Sequence, residues 1–240
     1  MNRYGRRKQL ERRIIIQRDL HGRVAYLLAT GILRGDYAPE TILPREAELM
    51  SSFGVSRTVL REALRTLTSK GLVESRPKVG TRVRPRHAWN LLDADLLDWY
   101  SQVAPPLSFA LKLQEMREMV EPYAAELAAR AHTSETLVAL ERAHAAMVSA
   151  RTVDEWVRAD LGFHLGILAA CSNELLMPLG PLIGRTLEAQ LLLNAKRAEV
   201  FNASLDEHSA VFDAIRQRDA DGARRAMAEL LGTTRRRIEG

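Results

Sequence analysis

A mainly α-helical fold in two parts is what this sequence predicts: an N-terminal winged helix-turn-helix with a small β-hairpin wing, followed by a C-terminal antiparallel α-helical bundle. Three observations carry that reading. Apolar residues make up 46% of the chain but aromatics only 5%, and a chain dominated by Ala, Leu and Arg favours helices over sheets. Two short helical patterns meet at a glycine and are followed by a Pro/Gly turn between short extended runs. From about residue 107 onward every segment has helical periodicity, with no strand pattern.

The elements follow in order. Residues 1–16 read as a solvated basic arm. Residues 17–86 form the winged domain. Its first helix covers about Gln17 to Arg34, with Val24, Leu27, Leu28 and Ile32 at helical spacing. "GDYAPETILP" ends it. A short second helix, "REAELMSSF", starts after Pro44. Gly54 suits a tight turn that needs a positive φ. Ser56 is an N-cap for the third helix, "RTVLREALRTLTSK", which Gly71 closes. Its core stripe is Leu60, Ala63, Leu64 and Leu67. "LVESRPKVGTRVRPR" then reads as the wing, with Arg76, Lys78, Arg82 and Arg84 projecting. Residues 87–106 form a linker with a short amphipathic helix, "WNLLDADLLDWY", ended by Pro105-Pro106. The bundle occupies 107–238, with helices near 107–131, 134–150, 153–172, 174–195, 203–218 and 220–237, and with kinks expected at Pro122 and Pro178/Pro181.

Charge is divided along the same line. Residues 1–86 hold 19 Lys/Arg against 8 Asp/Glu, and residues 87–240 hold 16 against 22. A basic first half with Arg repeated along one helix points to a polyanion, and to nucleic acid over a membrane surface because no long amphipathic helix with exposed aromatics accompanies it. The second helix of a helix-turn-helix enters the major groove led by its N-terminal residues. Here these are Ser56, Arg57, Thr58 and Arg61, whose hydroxyls and guanidinium groups bond phosphates and, for Arg, guanine edges. The single Cys171 allows no intrachain disulfide, which fits a cytoplasmic protein. No apolar run reaches the roughly 18 residues of a membrane span, and no secretory signal core precedes the first helix.

In the acidic half, "ADLGFHLGIL" places Asp160 and His164 four residues apart, on one helix face. His208 lies on another apolar helix, one turn after Ser204. On the residues alone three readings stay open: a catalytic pair, a metal site, or a core histidine bonded to a carboxylate. An enzyme is disfavoured. Cys171 lies about 10 Å along the helix from His164, and neither a phosphate loop nor a nucleophile elbow is present. A purely architectural DNA binder would leave the Asp/His/His/Arg set without purpose. Arg117 is either half of a helix salt bridge with Glu121 or an inward guanidinium that takes a carboxylate bidentately.

"ILPREAELMSSFGVSRTVLREALRTLTSKGLVESRPKVGTRVR" resembles the winged-helix domain of GntR-type regulators throughout its length. "EMREMVEPYAAELAARAHT", "ADLGFHLGILAACSN" and "DEHSAVFDAIRQRDADGARRAM" resemble the FCD effector domain of the FadR subfamily, so nearly the whole chain is covered. The resemblance implies contact with double-stranded operator DNA through Arg57, Thr58 and Arg61 and a wing near Lys78 and Gly80. Many relatives carry Arg where this chain has Ala47; Arg45 lies nearby, two residues off. The resemblance also implies a homodimer, a small carboxylate effector, and a divalent metal (Zn or similar) held by Asp160, His164 and His208. The fourth ligand position aligns with Leu230, which cannot bind metal. Water or effector then completes the shell, or the polar groups serve the ligand without metal. Arg117 matches an Arg that points into the pocket, and the effector set is Arg117, Asp160, His164, Ser204 and His208. The expected function is a ligand-responsive regulator, most simply a repressor, released from its operator by a sugar acid such as galactonate. A different carboxylate, or activation instead of repression, is the alternative.

Overall fold

The computed structural model describes residues 20–104, 106–186 and 203–239. The expected basic arm over 1–16, the first turn of the 17–34 helix and the end of the 174–195 helix lie outside the described residues. The chain divides after Ala104 into two compact units.

In the N-terminal unit, α1 covers residues 20–34, α2 Glu46–Phe53 and α3 Arg57–Ser69. Gly54, at φ 63°, makes the left-handed turn between α2 and α3, a conformation that costs glycine no Cβ clash. Ser56 caps α3, its Oγ accepting from the Val59 amide at 3.4 Å. Val59, Leu60, Ala63, Leu64 and Leu67 are buried. They pack against α1 residues Val24, Leu28 and Ile32, so the apolar stripe read from the spacing is the core. Gly71 ends α3 at φ 74°, and a Cβ there would stand 2.4 Å from the Ala88 carbonyl oxygen.

The wing is an antiparallel pair, β1 Val73–Arg76 and β2 Gly80–Val83, in register from Val73 opposite Val83 to Arg76 opposite Gly80. A third extended piece, unexpected from the sequence, bridges β2 through Ile42 and Arg82, with Leu43 donating to the Thr81 carbonyl at 2.8 Å. It ties the loop before α2 to the wing. Two of the wing's expected projecting arginines are engaged within the unit: Arg82 reaches Glu40 Oε1 at 3.1 Å and Arg76 reaches Glu74 at 2.7 Å. Lys78 sits at the exposed tip with φ 63°.

After a 3-10 turn over Arg86–Ala88, α4 spans Ala94–Ser101, capped by Asp93. Trp89 and Leu96 are buried in the same core as α1 and α3, with Trp99 and Tyr100 packed against it. Buried Lys70 fastens this segment: its Nζ lies 2.6 Å from Asp93 and 2.8 Å from Asp95, and 5.3 Å from the centre of the Trp99 ring. Burial works against the Lys70 charge, but its two carboxylate partners outweigh it and raise the ammonium above its ordinary value. Burial likewise opposes the Asp93 charge, and Lys70 with the Leu96 amide holds that carboxyl below its ordinary value. The Lys contribution is therefore full below its unfolded value and lost as pH rises through the raised one. The Asp contribution is full above its unfolded value and lost as pH falls through the depressed one. Lys70→Met is expected to destabilise this unit by about 2 kcal/mol, as for a hydrogen bond between charged groups with one partner left behind. In urea denaturation that difference should hold across neutral pH and shrink in acid as Asp93 protonates. A K70M protein as stable as wild type would mean that Lys70 is not what holds α4.

The C-terminal unit is a helical bundle among its described residues. It comprises α5 Pro106–Ala131, α6 Ser134–Ser149, α7 Val153–Ala170, α8 (described over 180–186), α9 Leu205–Arg216 and α10 Ala220–Glu239. The segment Glu174–Leu179 is 3-10 helix containing Pro178, where the sequence suggested the start of an α-helix; proline supplies no amide for the α-helical ladder. α10 packs along α5 and α9, while α7 packs on α6 and α5. Glu118 on α5 receives a two-pronged contact from Arg235 on α10, at 2.7 and 2.8 Å. Arg218, between α9 and α10, donates to the carbonyls of Arg130 and His132 at 3.1 Å each, satisfying carbonyls at the C-terminal end of α5. No helix among the described residues is long and apolar enough to cross a membrane.

Candidate functional site

The groups suited to DNA lie on three parts of the N-terminal unit. Ser56, Arg57, Thr58 and Arg61 are exposed on the first turn and a half of α3, the end where amide groups point outward. Arg61 is drawn toward α2, its Nε 3.6 Å from Glu46. Arg45 is the exposed N-cap residue of α2, its amide donating to Glu48 at 3.0 Å. Lys78 and Gly80 are exposed at the wing tip. A helix-turn-helix whose second helix, α3, is so charged is suited to enter a major groove.

The second site is inside the bundle. α7 begins with a capping box in which Thr152 Oγ accepts from the Glu155 amide at 3.2 Å and Glu155 accepts from the Thr152 amide at 3.2 Å. From there Trp156, Ala159, Asp160, Phe163, His164 and Ile167 fall on the buried face, so the helical phase carries Asp160 and His164 inward. Gly166 lets α6 approach: a Cβ there would be 3.2 Å from Leu140 Cδ1. On α9, His208, Val211, Phe212 and Ile215 are buried. On α5, Gln114, Arg117 and Glu121 are buried on the stripe continued by Ala124, Ala125 and Ala128.

α7 and α9 bring Asp160, His164 and His208 together, with one donor atom from each lying within 4.8 Å of the others. His208 Nδ1 is 2.6 Å from the Ser204 carbonyl oxygen. A carbonyl only accepts, so Nδ1 carries the proton. A neutral His208 then turns the lone pair of Nε2 toward Asp160 Oδ1, 3.1 Å away. Two acceptors at that distance call for a positive charge, either a second ring proton or a metal ion. Asp160 Oδ1 is also 3.1 Å from His164 Nε2, so one carboxylate oxygen serves both rings. Phe163 meets His164 and His208 edge-on, with centroids 5.9 and 5.3 Å away, and Trp156 stands 5.9 Å from His208; these rings limit imidazole rotation.

Arg117 enters from α5. Its Nη2 is 3.0 Å from His164 Nε2, and its Nε is 2.5 Å from Glu121 Oε1. Arg117 therefore pairs with Glu121 and also points at the polar cluster. The pair is not a surface bridge, because both residues are 2% exposed. His164 Nδ1 lies 2.6 Å from Glu121 Oε2, out of line for a full hydrogen bond. Burial pushes the carboxyls of Asp160 and Glu121 up. His208 and His164 beside Asp160 outweigh this and hold it well below the usual carboxylate range. Arg117 and His164 bring Glu121 down to about 2. Burial lowers His164, but Glu121 reverses the balance and raises it. Ser204 joins the site through its backbone carbonyl, and Leu230 is buried hydrocarbon on α10. A buried carboxylate and two imidazoles, one with a fixed tautomer and one with a Nδ1 lacking an aligned partner, form a donor set that could hold a metal ion.

Glu121 is the residue that reading the sequence undervalued, as no more than a partner for Arg117. Its register with Ala124, Ala125 and Ala128 was the available sign that it faces inward.

Residues 20–83 match the bacterial regulatory proteins of the gntR family, and residues 112–233 match the FCD domain. The chain is 37% identical to the uncharacterized HTH-type transcriptional regulator YieP of Escherichia coli K12, over 90% of this chain and 94% of that protein. It is 33% identical to the galactonate operon transcriptional repressor of the same organism, over 90% and 96%. Among solved structures, Streptococcus agalactiae GntR aligns with a TM-score of 0.51 at 26% identity, covering 90% of this chain and 99% of that one. The Listeria monocytogenes regulator Lar shares the fold at a TM-score of 0.62 and 19% identity, covering 91% and 96%. The winged helix and the bundle with its buried polar cluster thus have one explanation: the chain belongs to the GntR family of bacterial regulatory proteins, DNA-binding transcription regulators, and carries an FCD domain.

Proposed function

We propose that this regulator is a homodimeric repressor of a sugar-acid catabolic operon, released from its operator when a galactonate-like acid enters the FCD bundle. The observation that carries this reading is the buried cluster itself, in which Arg117 Nη2 stands 3.0 Å from His164 and Asp160 joins His164 to His208. A guanidinium beside a carboxylate-imidazole set offers a carboxylate a charged partner and offers vicinal hydroxyls both donors and acceptors. The similarity to the galactonate operon repressor supports the acid's class. A divalent ion held by Asp160, His164 and His208 would supply positive charge and open positions for oxygen ligands, with zinc suited to the donor set. Arg57, Thr58 and Arg61 read the operator, and Arg45, Ser56, Lys78 and Gly80 contact its backbone. Two copies match two half-sites related by a two-fold axis. Effector and operator are coupled by population shift: the acid favours the arrangement that holds DNA less well, and DNA weakens the acid in the same ratio.

The test is thermal melting of the full chain against galactonate, gluconate, uronates and non-acid sugars, with and without chelator, paired with operator binding by fluorescence anisotropy. One sugar acid should raise the melting temperature and weaken operator binding at least fivefold, the lower end of ordinary allosteric coupling. If no sugar acid moves either quantity, the effector class is wrong. If the shift is undiminished by chelator, the acid is held without metal.

A further inference from the structure

We propose that Glu121 is the positioning residue of the polar cluster: its carboxylate sets which nitrogen of His164 faces the site and neutralises Arg117, so that a divalent ion can be held beside a guanidinium. The proposal rests on the reading above that Asp160, His164 and His208 take such an ion.

The geometry gives the two oxygens of Glu121 different work. Oε1 takes the Arg117 Nε–H at 2.5 Å. Oε2 lies 2.6 Å from His164 Nδ1 and 3.3 Å from Arg117 Nη2. A carboxylate accepts only, so the nitrogen facing it is favoured in its protonated form, and the lone pair of a neutral ring moves to Nε2. Nε2 is the nitrogen beside Asp160. A carboxylate behind a ligating imidazole is the arrangement that fixes tautomer and ring orientation at metal sites. His208 obtains this control from a hydrogen bond to the Ser204 carbonyl; for His164, whose Nδ1 is not aligned for a full hydrogen bond, Glu121 exerts it through the charge of Oε2 at 2.6 Å. The second task follows from Arg117. Its Nη2 is 3.0 Å from the same Nε2, so a cation bound there has a guanidinium as neighbour. Buried charges of like sign repel strongly unless compensated, and the ion pair with Glu121 is the compensation. The side chains are nearly solvent-free, at 2% and 3% exposed, so water does not screen the repulsion.

The experiment uses the full-length protein and zinc alone. Zinc affinity is measured by competition with a chromophoric chelator for wild type, Glu121→Gln, and the double variant Arg117→Gln/Glu121→Gln, with melting curves to verify folding. Glu121→Gln should weaken zinc by about 10- to 100-fold, the usual cost of losing such a carboxylate. The double variant removes the guanidinium as well and should recover only part of that loss. An E121Q affinity equal to wild type overturns the proposal. Complete recovery in the double variant overturns the His164 half, since Glu121 would then be a counter-charge and nothing more. The wild-type protein gives an independent check through the histidine ¹⁵N shifts of the zinc-loaded form: His164 should show Nε2 bound and Nδ1 protonated, and the reverse assignment overturns the proposal even if the variants do not fold. A wild type that takes up no zinc, and a His164→Ala protein indistinguishable from it, overturns the metal reading and this inference together. Zinc uptake without any response to sugar acids removes only the effector class and leaves Glu121's role standing.

Discussion

Arg57→Ala is expected to weaken operator binding by about 1–3 kcal/mol, the contribution of a bidentate guanidinium contact to one base pair, while unfolding changes by no more than about 0.5 kcal/mol. Arg57 opens α3 one residue after the cap, is exposed, and contributes nothing to the core that Val59, Leu60 and Ala63 form behind it. The same helix provides its own control. Arg65 is also exposed but lies two turns further from the helix start and is paired with Glu62 at 3.1 Å, so Arg65→Ala should alter binding far less. Anisotropy titrations against salt distinguish the kind of contact. If Arg57 reads a base, preference at one operator position relaxes and the salt slope stays near that of wild type; if it bonds phosphate, binding weakens on every sequence and the slope falls by about one. Operator affinity within twofold of wild type in R57A would mean that α3 does not enter the groove by its N-terminal turn.

The winged helix was readable because its determinants are local. Periodicity set the buried stripe of α3, and Gly54 and Gly71 stand at φ 63° and 74°, conformations that a side chain would resist. The Ile42 bridge to β2 was not readable, since one residue of pairing leaves no alternation to detect. Arg76 and Arg82 were expected to project from the wing; Arg76 stays exposed beside Glu74, whereas Arg82 is held back against Glu40. The Glu40 contact joins residues 42 positions apart, beyond any spacing rule. In the bundle the same division holds. Asp160 and His164 share a face because four residues turn a helix just past one revolution, and that much is sequence. The tautomer of His208 is not, because it depends on the backbone carbonyl of Ser204 at a helix cap. Nor is the double duty of Glu121, which needs α5 and α7 in register to place its two oxygens against different partners. The salt bridge of Arg117 with Glu121 was readable from their spacing, but its burial was not, because helix spacing shows that two residues can meet but not whether they meet in water.

Asp160→Asn should abolish the metal response and, with it, induction. Asp160 Oδ1 is 3.1 Å from both His164 Nε2 and His208 Nε2, so this carboxylate joins the two imidazoles across α7 and α9. Asparagine keeps the shape and removes the charge that draws a cation between two imidazoles. Zinc affinity is expected to fall by at least about 100-fold, beyond the range for residues that act only behind a ligand. In wild type, zinc at about 100 times its dissociation constant should add about 2.7 kcal/mol to unfolding stability; in D160N the same concentration should add no more than about 0.4 kcal/mol. The metal-free variant should itself be less stable by about 1–3 kcal/mol, because two buried imidazoles lose a charged acceptor. That loss has a pH signature. The Asp160 carboxyl is held below its ordinary value, so its contribution is full at neutral pH and disappears as acid protonates it. Wild type and D160N should therefore converge in stability as pH falls. Operator binding without effector should be unchanged, since Asp160 belongs to the C-terminal unit and the residues proposed to contact DNA belong to the other. The result is a repressor that binds and is not released. A D160N protein that still melts higher with zinc and still leaves its operator in galactonate would show that the buried cluster is a structural network and that the effector is sensed elsewhere.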